Sequence, residues 1–208
     1  MTQRQPSVDQ VRVEEAPSDA ELVAATQGGD RQAFGTLVER HQERLFNTLL
    51  RVLGSSDDAR EVLQDAFIQA YTKIDTFRGS SQFYTWMYRV ALNLACSYKR
   101  RTKRHREEVS IDTMKTNVGE EPVDHGESPE QDMLRAEQAE LVQAALVELS
   151  DEHRQILVLR EMDDFSYETI AEILELPVGT VRSRLFRARM QMKELLEVVL
   201  ISESKQKG

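Results

Sequence analysis

The chain has 208 residues and a formal net charge of −9, because 27 Lys and Arg face 36 Asp and Glu. A negative chain is not drawn indiscriminately to nucleic acid, so any contact with DNA must come from a local basic patch. A single cysteine excludes an intrachain disulfide, and neither a signal peptide nor an apolar run of roughly 18 residues is present. With few turn residues to support an all-β protein, we expect an all-α, cytoplasmic protein.

Charge is distributed unevenly along the chain. Residues 99–106 contain six basic residues and no acidic one, whereas residues 107–132 contain nine acidic residues and one lysine. The acidic stretch has two prolines, two glycines and no apolar periodicity, which is typical of a disordered linker. The predicted division is a disordered arm (1–17), a helical unit (18–106), an acidic linker (107–127, flexible to about 132), a second helical unit (128–199) and a disordered tail (200–208).

The first unit reads as a small helical bundle. Ser18 and Glu21 have the spacing of a capping box, and Gly28 and Gly29 separate a short first helix from the next one. Apolar residues then recur at helical spacing in three stretches, over residues 34–52, 59–74 and 83–94.

The second unit contains a helix-turn-helix pattern. Predicted helix starts lie at Ser128, Ser150, Ser166 and near Pro177, and the last two helices are separated by a break of about three residues. The small side chain of Ala171 permits the two helices to cross closely, and Ile170 and Val181 can pack against each other across the angle between them. Glu175 occupies a turn position that is often glycine in this motif.

The last helix would be the one that reads DNA. Its exposed first turns carry side chains suited to base edges, namely Thr180, Arg182, Ser183, Phe186 and Arg187. Further cations suited to phosphates are Arg184, Arg189 and Lys193. The alternative is an ordinary helical hairpin with a solvated basic face.

An aromatic-rich stretch, residues 75–93, leads directly into the basic run. On a helix, Trp86, Arg89, Asn93 and Arg100 lie roughly along one stripe, away from the apolar face. Such a stripe can stack and hydrogen-bond unpaired bases, and each stacked base contributes about 1–3 kcal/mol. The alternative is that Phe77, Phe83 and Trp86 are core residues.

A third surface lies on the polar side of the helix predicted over residues 57–75. It combines an isoleucine with carboxylates and an amide, namely Asp58, Glu61, Gln64, Asp65 and Ile68. This combination indicates a protein-docking surface, with a solvated helix face as the alternative.

No catalytic pattern is visible. The histidines, at positions 41, 105, 125 and 153, are scattered, and Cys96 is expected to be a small buried side chain. No metal-ligand motif, phosphate loop or nucleophile elbow occurs. We therefore expect a protein that is not an enzyme and needs no metal or cofactor.

Two long motifs carry a family resemblance. Residues 65–71, 77–79 and 83–93, followed downstream by 177–189, resemble bacterial RNA polymerase sigma factors of the extracytoplasmic-function (ECF) group, especially the sigma-E-like members. The resemblance covers residues 19–199 and implies that the two helical units are sigma regions 2 and 4.

The resemblance assigns a role to each surface. In that family, region 2 grips a coiled coil on the largest polymerase subunit and melts the minus-ten element, while region 4 reads the minus-thirty-five element. The implied partner surfaces on the polymerase core are this coiled coil and the flap. The implied polymerase contacts are Asp58, Glu61, Gln64, Asp65 and Ile68. The implied minus-ten contacts are Phe77, Arg78, Ser80, Ser81, Trp86, Arg89, Asn93, Lys99, Arg100 and Arg101. The implied minus-thirty-five contacts are Tyr167, Thr180, Arg182, Ser183, Arg184, Phe186, Arg187 and Arg189.

The resemblance also implies partners. They are the RNA polymerase core, promoter DNA and a membrane-associated anti-sigma factor that would hold the chain inactive at the inner membrane until a stress or envelope signal, with no small-molecule substrate. The acidic linker would thread the polymerase cleft toward the RNA exit path.

Two other classes stay open at this point. A conventional helix-turn-helix regulator would bind duplex DNA unaided as a symmetric dimer, but no dimerisation segment is recognisable. A helical nucleic-acid enzyme would need a metal or nucleophile constellation. A gel shift of the protein with and without core polymerase separates all three classes.

Overall fold

A computed structural model describes residues 16–108 and 129–206, which contain eight α-helices and no strand. The helices are α1 (Asp19–Gln27), α2 (Arg31–Leu53), α3 (Ser56–Lys73), α4 (Phe83–Glu108), α5 (Pro129–Glu148), α6 (Asp151–Leu157), α7 (Tyr167–Leu174) and α8 (Val178–Gln206). A 3-10 turn, Ile74–Thr76, follows α3, and a π-helical turn, Val158–Met162, follows α6. The all-α prediction is confirmed. Across the described ranges, none of these helices is both long and apolar enough to span a bilayer.

Local capping explains where the first helices begin. The Glu21 N–H donates to the Ser18 hydroxyl at 3.3 Å, and the Ser18 N–H donates to the Glu21 carboxylate at 2.8 Å, so the capping box is present as predicted. This hydrogen bonding lowers the pKa of Glu21. At the start of α2, the Asp30 carboxylate accepts hydrogen bonds from two backbone N–H groups.

The first unit, α1 to α4, is built around α2, which packs against the other three helices. Its largest fully buried side chains come from three of the predicted apolar stripes and include Leu37, Leu45, Val62 and Met87. After the 3-10 turn, the short loop 77–82 leads into α4 and therefore lies at the end of the bundle beside α4.

The second unit, α5 to α8, is built around α8, which packs against α5, α6 and α7. Ile170 and Val181 are fully buried, as expected of side chains that pack across a helix-turn-helix angle. Glu175 adopts the left-handed conformation, with φ 55° and ψ 45°, and its N–H donates to the Ala171 carbonyl. The turn therefore forms without the glycine that would adopt this conformation at lower cost.

Some predicted boundaries differ from the structure. α4 continues to Glu108, two residues into the predicted linker, and α5 begins at Pro129, next to the predicted helix start at Ser128, rather than after a linker that stays flexible to about 132. α8 reaches Gln206, so the prediction of a disordered tail from residue 200 is wrong up to that residue. No Gly or Pro interrupts residues 180–207, and extending an existing helix gains one hydrogen bond per residue. The predicted arm up to residue 15, the linker over 109–127 and the predicted cap Ser128 lie outside the described residues.

The two units pack against each other. α5, α6 and the π-helical turn lie against α2, while α7 lies against α4. Gly54 ends α2 with φ 78°, and a Cβ atom there would lie 2.8 Å from a methyl group of Val147 in α5. Glycine is thus required at this point both by the backbone and by the close approach of α5.

Polar side chains are buried where the units meet. The Thr48 hydroxyl lies 2.8 Å from the Asp163 carboxylate and 3.3 Å from the Tyr88 hydroxyl. Burial raises the pKa of Asp163, although the Thr48 hydrogen bond and the charges of Arg44 and Arg51 act in the opposite direction. Burial and the neighbouring Asp163 charge raise the pKa of Tyr88 to about 12.

Candidate nucleic-acid interface

A groove of about 500 Å³ lies between α3, α4 and the loop 77–82. It brings together seven of the predicted minus-ten residues, namely Phe77, Arg78, Ser80, Ser81, Trp86, Arg89 and Asn93. Its other lining residues were not predicted from the sequence: Gln69, Lys73, Thr76, Val90, Leu94 and Ser97. Of these, Gln69 and Lys73 follow Asp65 at four-residue spacing on the polar side of α3, which was the available signal. The groove combines cations, amides and aromatic rings, the groups that bind unpaired bases.

The aromatic side chains form a cluster beneath the groove. The ring centroids of Phe77 and Trp86 lie 5.3 Å apart, and each ring lies within 6.0 Å of the Phe83 ring. Phe83 is buried, so the alternative that these aromatic residues belong to the core holds for Phe83. Phe77 and Trp86 are half-buried and also line the groove, so one part of each ring supports the bundle while the other faces the cavity.

The loop beside the groove is held by α1. The Gln27 side-chain amide donates to the carbonyl oxygens of Ile74 and Phe77, each at 2.9 Å. These bonds connect the end of α1 to both sides of the 3-10 turn. Sequence reasoning did not find Gln27, because a contact between residues about fifty positions apart leaves no local pattern.

The cations on α4 differ in their surroundings. Arg100 is exposed, whereas Arg101 lies 3.5 Å from Glu61 of α3. Lys99 is ion-paired with Asp151 of α6. The Arg89 guanidinium lies 3.2 Å from the carboxylate of Glu175 in the helix-turn-helix. Two of the predicted minus-ten cations are thus paired with acids of the second unit.

The predicted polymerase surface is only partly free. Glu61, Gln64 and Asp65 are exposed, and Ile68 is 56% exposed on the same face of α3. Asp58, by contrast, accepts a hydrogen bond from the Tyr98 hydroxyl at 2.7 Å, and that hydroxyl also lies 3.3 Å from Glu61. Partial desolvation and these carboxylates raise the pKa of Tyr98 to about 12.

The predicted recognition helix presents one exposed face. Arg182, Ser183, Phe186 and Arg187 are exposed there, and Phe186 is 66% exposed. Thr180 is half-buried and its carbonyl accepts a hydrogen bond from the Ser183 hydroxyl. An exposed phenylalanine between two arginines offers apolar and charged contacts to one ligand surface.

Tyr167 connects this face to α7. The guanidinium carbon of Arg182 lies 5.8 Å from the centre of its ring, and that of Arg160 lies 5.3 Å from it. Both distances are within the range of a cation–π contact. Tyr167 therefore orients Arg182 at the edge of the exposed face.

Two predicted phosphate contacts are instead paired with acids of their own unit. Arg184 lies 3.2 Å from Glu152, and Arg189 lies 2.6 Å from Glu161. The hydrogen bond to Glu161 raises the pKa of Arg189 above its ordinary value. Both arginines flank the exposed face and fasten α8 to α6 and the π-helical turn.

His41 has a structural setting. Its Nε2 lies 2.7 Å from the Asp19 carboxylate, and its ring centroid lies 5.6 Å from that of Phe83. Asp19 also pairs with Arg40 at 2.5 Å. These contacts fasten α1 to α2.

Two family models match the chain. Sigma-70 region 2 matches residues 37–105, and Sigma-70 region 4 matches residues 139–192. Together the matches include both the groove and the recognition helix.

Similar proteins and structures cover most of the chain. The RNA polymerase sigma-H factor of Pseudomonas aeruginosa is 38% identical over 184 residues, which is 88% of this chain and 95% of that protein. The ECF RNA polymerase sigma-E factor of Escherichia coli is 40% identical over 174 residues, 83% of this chain and 91% of that protein. Among solved structures, CnrH in complex with the cytosolic domain of CnrY has a TM-score of 0.63 at 26% identity, over 86% of this chain and 97% of that one. The sigma factor RpoE in complex with the anti-sigma factor NepR, from Bartonella quintana, has a TM-score of 0.61 at 28% identity, over 79% of this chain and 97% of that one. This chain therefore belongs to the sigma-70 family as a sigma factor of the ECF group, which binds core RNA polymerase and directs it to promoters.

Proposed function

We propose that the groove captures unpaired bases of the minus-ten element and holds the opened strand. The observation that carries this proposal is the meeting of Trp86, Arg89 and Asn93 with the loop 77–82 in one groove of about 500 Å³. Trp86 offers a ring for stacking, and Asn93 offers both a donor and an acceptor to a base edge. Arg78, with its exposed guanidinium, can pair with the backbone phosphates of the same strand.

The second unit then reads the minus-thirty-five element through α8. The support for this is the single exposed face that carries Arg182, Phe186 and Arg187 at the start of a helix-turn-helix recognition helix. Arginine can bond two acceptors of a guanine in the major groove, and a phenylalanine can pack on a thymine methyl group.

Core polymerase binds to the exposed face of α3 in this proposal. Its support is Ile68, which is exposed beside Gln64 and Asp65, because an apolar side chain among polar ones is typical of a protein-docking surface.

We also propose regulation by an anti-sigma factor that responds to a stress or envelope signal. The similarity to CnrH and to RpoE, both solved with a bound partner, supports this regulation.

The groove is tested with holoenzyme that carries Asn93→Ala. On a promoter already mismatched across the minus-ten region, the half-life of the open complex should shorten about tenfold, because one base contact of about 1–3 kcal/mol is lost. Gln42→Ala is the matched control, since it removes an exposed amide from α2 outside the groove.

The melting temperature of each variant separates base contact from folding. Asn93 is exposed, so its loss should leave the melting temperature unchanged. An unchanged open-complex half-life, or a large fall in melting temperature, would contradict the role of Asn93 in holding the strand.

A further inference from the structure

The groove is a positively charged site on a negatively charged protein. The described residues that line it include three cations, Lys73, Arg78 and Arg89, and no carboxylate, although the whole chain has a formal net charge of −9. A local excess of positive charge on such a chain favours an anionic ligand. The anionic groups of a DNA strand are its phosphates, so the place of each cation indicates where the sugar–phosphate backbone can run.

The three cations differ in how far they are already neutralised. The Arg89 guanidinium of α4 lies 3.2 Å from the Glu175 carboxylate. Lys73 and Arg78 are exposed, and neither forms an ion pair with another described residue. Asp75, the acidic residue between them in the sequence, is not among the residues that line the groove. The charges of Lys73 and Arg78 are therefore available to a ligand in the groove.

These two cations stand at the two ends of residues 73–78, which form the edge of the groove opposite α4 and are named here the α3 rim. The Thr76 hydroxyl donates to the Lys73 carbonyl at 2.7 Å, and the Phe77 N–H donates to the Ile74 carbonyl at 3.0 Å. The Gln27 amide holds the same turn from α1. Both cations thus project from a backbone that hydrogen bonds keep in place.

The α4 wall offers a different set of groups. Trp86, Asn93 and Ser97 line the groove from this side and supply a ring, an amide and a hydroxyl. An aromatic ring stacks on a base, and an amide can bond a base edge, whereas a lysine or arginine bonds a phosphate as a cation. A strand whose backbone follows the α3 rim therefore turns its bases across the groove toward α4.

We propose that Lys73 is a backbone-contacting residue of the groove. Together with Arg78, it fixes the captured strand with its phosphates on the α3 rim and its bases toward α4. The inference deepens the proposed function of the groove and rests on it. The ligand of Lys73 is a phosphate of the opened strand, so its contribution to affinity is electrostatic and independent of base sequence.

Lys73 has a structural alternative that the test must separate. It stands in the last turn of α3, where a cation favours the helix end without any ligand. A purely structural role predicts that Lys73→Gln lowers the melting temperature and leaves the salt dependence of DNA binding unchanged. A phosphate contact predicts the reverse, because each neutralised phosphate releases counterions. Lys73→Arg keeps the charge and should behave like the unsubstituted protein.

The first test measures the salt dependence of binding by holoenzyme that contains the full chain, formed with excess core polymerase. Its Kd for a promoter mismatched across the minus-ten region is measured between about 50 and 200 mM salt. For Lys73→Gln, the slope of log K against log salt concentration should become shallower by about 0.7. Over this fourfold range, the unsubstituted holoenzyme should therefore lose about 2.6-fold more affinity than the variant.

Arg60→Gln is the matched control for the removal of one charge. Arg60 is also on α3, its side chain is 67% exposed, and it pairs only weakly with Asp57 at 3.7 Å. It precedes Gln69, which lines the groove, by nine residues, so it lies on the opposite side of the helix. Arg60→Gln should leave the salt slope unchanged.

The second test locates the phosphate. A methylphosphonate replaces one phosphate of the opened strand at a time and removes its negative charge. At the contacted position, the losses of affinity caused by the methylphosphonate and by Lys73→Gln should not add, whereas they should add at other positions. Arg78→Gln should show the same behaviour at a neighbouring phosphate. Removal of a captured base should instead be non-additive with Asn93→Ala.

A salt slope for Lys73→Gln equal to that of Arg60→Gln would overturn the phosphate contact, and so would additive losses at every phosphate. Non-additivity between Lys73→Gln and a missing base would overturn the orientation, because Lys73 would then face a base. In each case the proposed function stands if Asn93→Ala still shortens the half-life of the open complex. If Asn93→Ala is also without effect, the groove does not hold the strand and both proposals fail.

Discussion

Arg154 is a buried cation that hydrogen-bonds the ends of α5 and α2, where the two units meet. It is 3% exposed, and its guanidinium donates to the carbonyls of Leu146, at 2.6 Å, and Val147 in the last turn of α5, and to that of Leu149, just after α5, at 2.9 Å. It also donates to the Val52 carbonyl of α2 at 2.7 Å. One side chain thus satisfies the last carbonyls of two helices, one in each unit. Burial lowers the pKa of Arg154, but neighbouring carboxylates act against this.

Arg154→Ala should therefore destabilise the protein strongly. Each hydrogen bond to a charged group contributes about 1.5–3 kcal/mol, and water that enters the vacated space replaces part of this. Removing one member of a buried charged network typically costs about 3–5 kcal/mol, and we expect a loss in that range. For a chain of this size, the melting temperature should fall by about 10 °C.

The assay is urea denaturation followed by circular dichroism, together with a thermal melt. Arg184→Ala is the matched control, because Arg184 makes one ion pair with an exposed glutamate and should lose less than about 1 kcal/mol. Arg154→Lys, which keeps the charge but not the planar fork, should fall between the two. A loss below about 1 kcal/mol in Arg154→Ala would refute the argument that these four carbonyls depend on the guanidinium.

Three further changes have defined outcomes. Asp163→Asn should raise the melting temperature at neutral pH and flatten the dependence of the melting temperature on pH. The pKa of Asp163 is higher in the folded protein than its ordinary value of 3.8, so stability falls as the pH rises from 3.8 through the folded-state pKa. A melting profile identical to that of the unsubstituted protein would contradict this argument. Glu175→Gly should be about 1 kcal/mol more stable than Glu175→Ala in urea, because both lose the Arg89 pair but only glycine relieves the left-handed backbone. Gln27→Ala should shorten the open-complex half-life severalfold with little change in melting temperature, since it frees the loop beside the groove, and Gln32→Ala on the exposed side of α2 is its control.

The sequence by itself determined the helices and much of each functional face. Capping depends on residues three positions apart, as in Ser18 and Glu21, so it is visible without any knowledge of the fold. The burial of Ile170 and Val181, and the exposure of Arg187, follow from helical periodicity around a short turn. The family resemblance added the order of the two units, which the matches to Sigma-70 regions 2 and 4 confirm.

Only the tertiary structure decided which partner each polar side chain meets. Periodicity indicates that a side chain is exposed or buried on its own helix, but it contains nothing about what a distant helix places beside it. It could not show that Arg189 pairs with Glu161, or that Tyr98 occupies Asp58 on the predicted polymerase surface.

The packing of the two units was decided in the same way. Phe165 stands two residues before the start of α7, and its contacts with Tyr84 and Tyr88 join residues about eighty positions apart. From the sequence, Glu175 is only an unfavourable residue at a turn position that often has glycine. In the structure, its carboxylate forms an ion pair with Arg89 of the other unit. Such contacts depend on the shape and charge of two folded surfaces, which exist only after each unit has formed its own core.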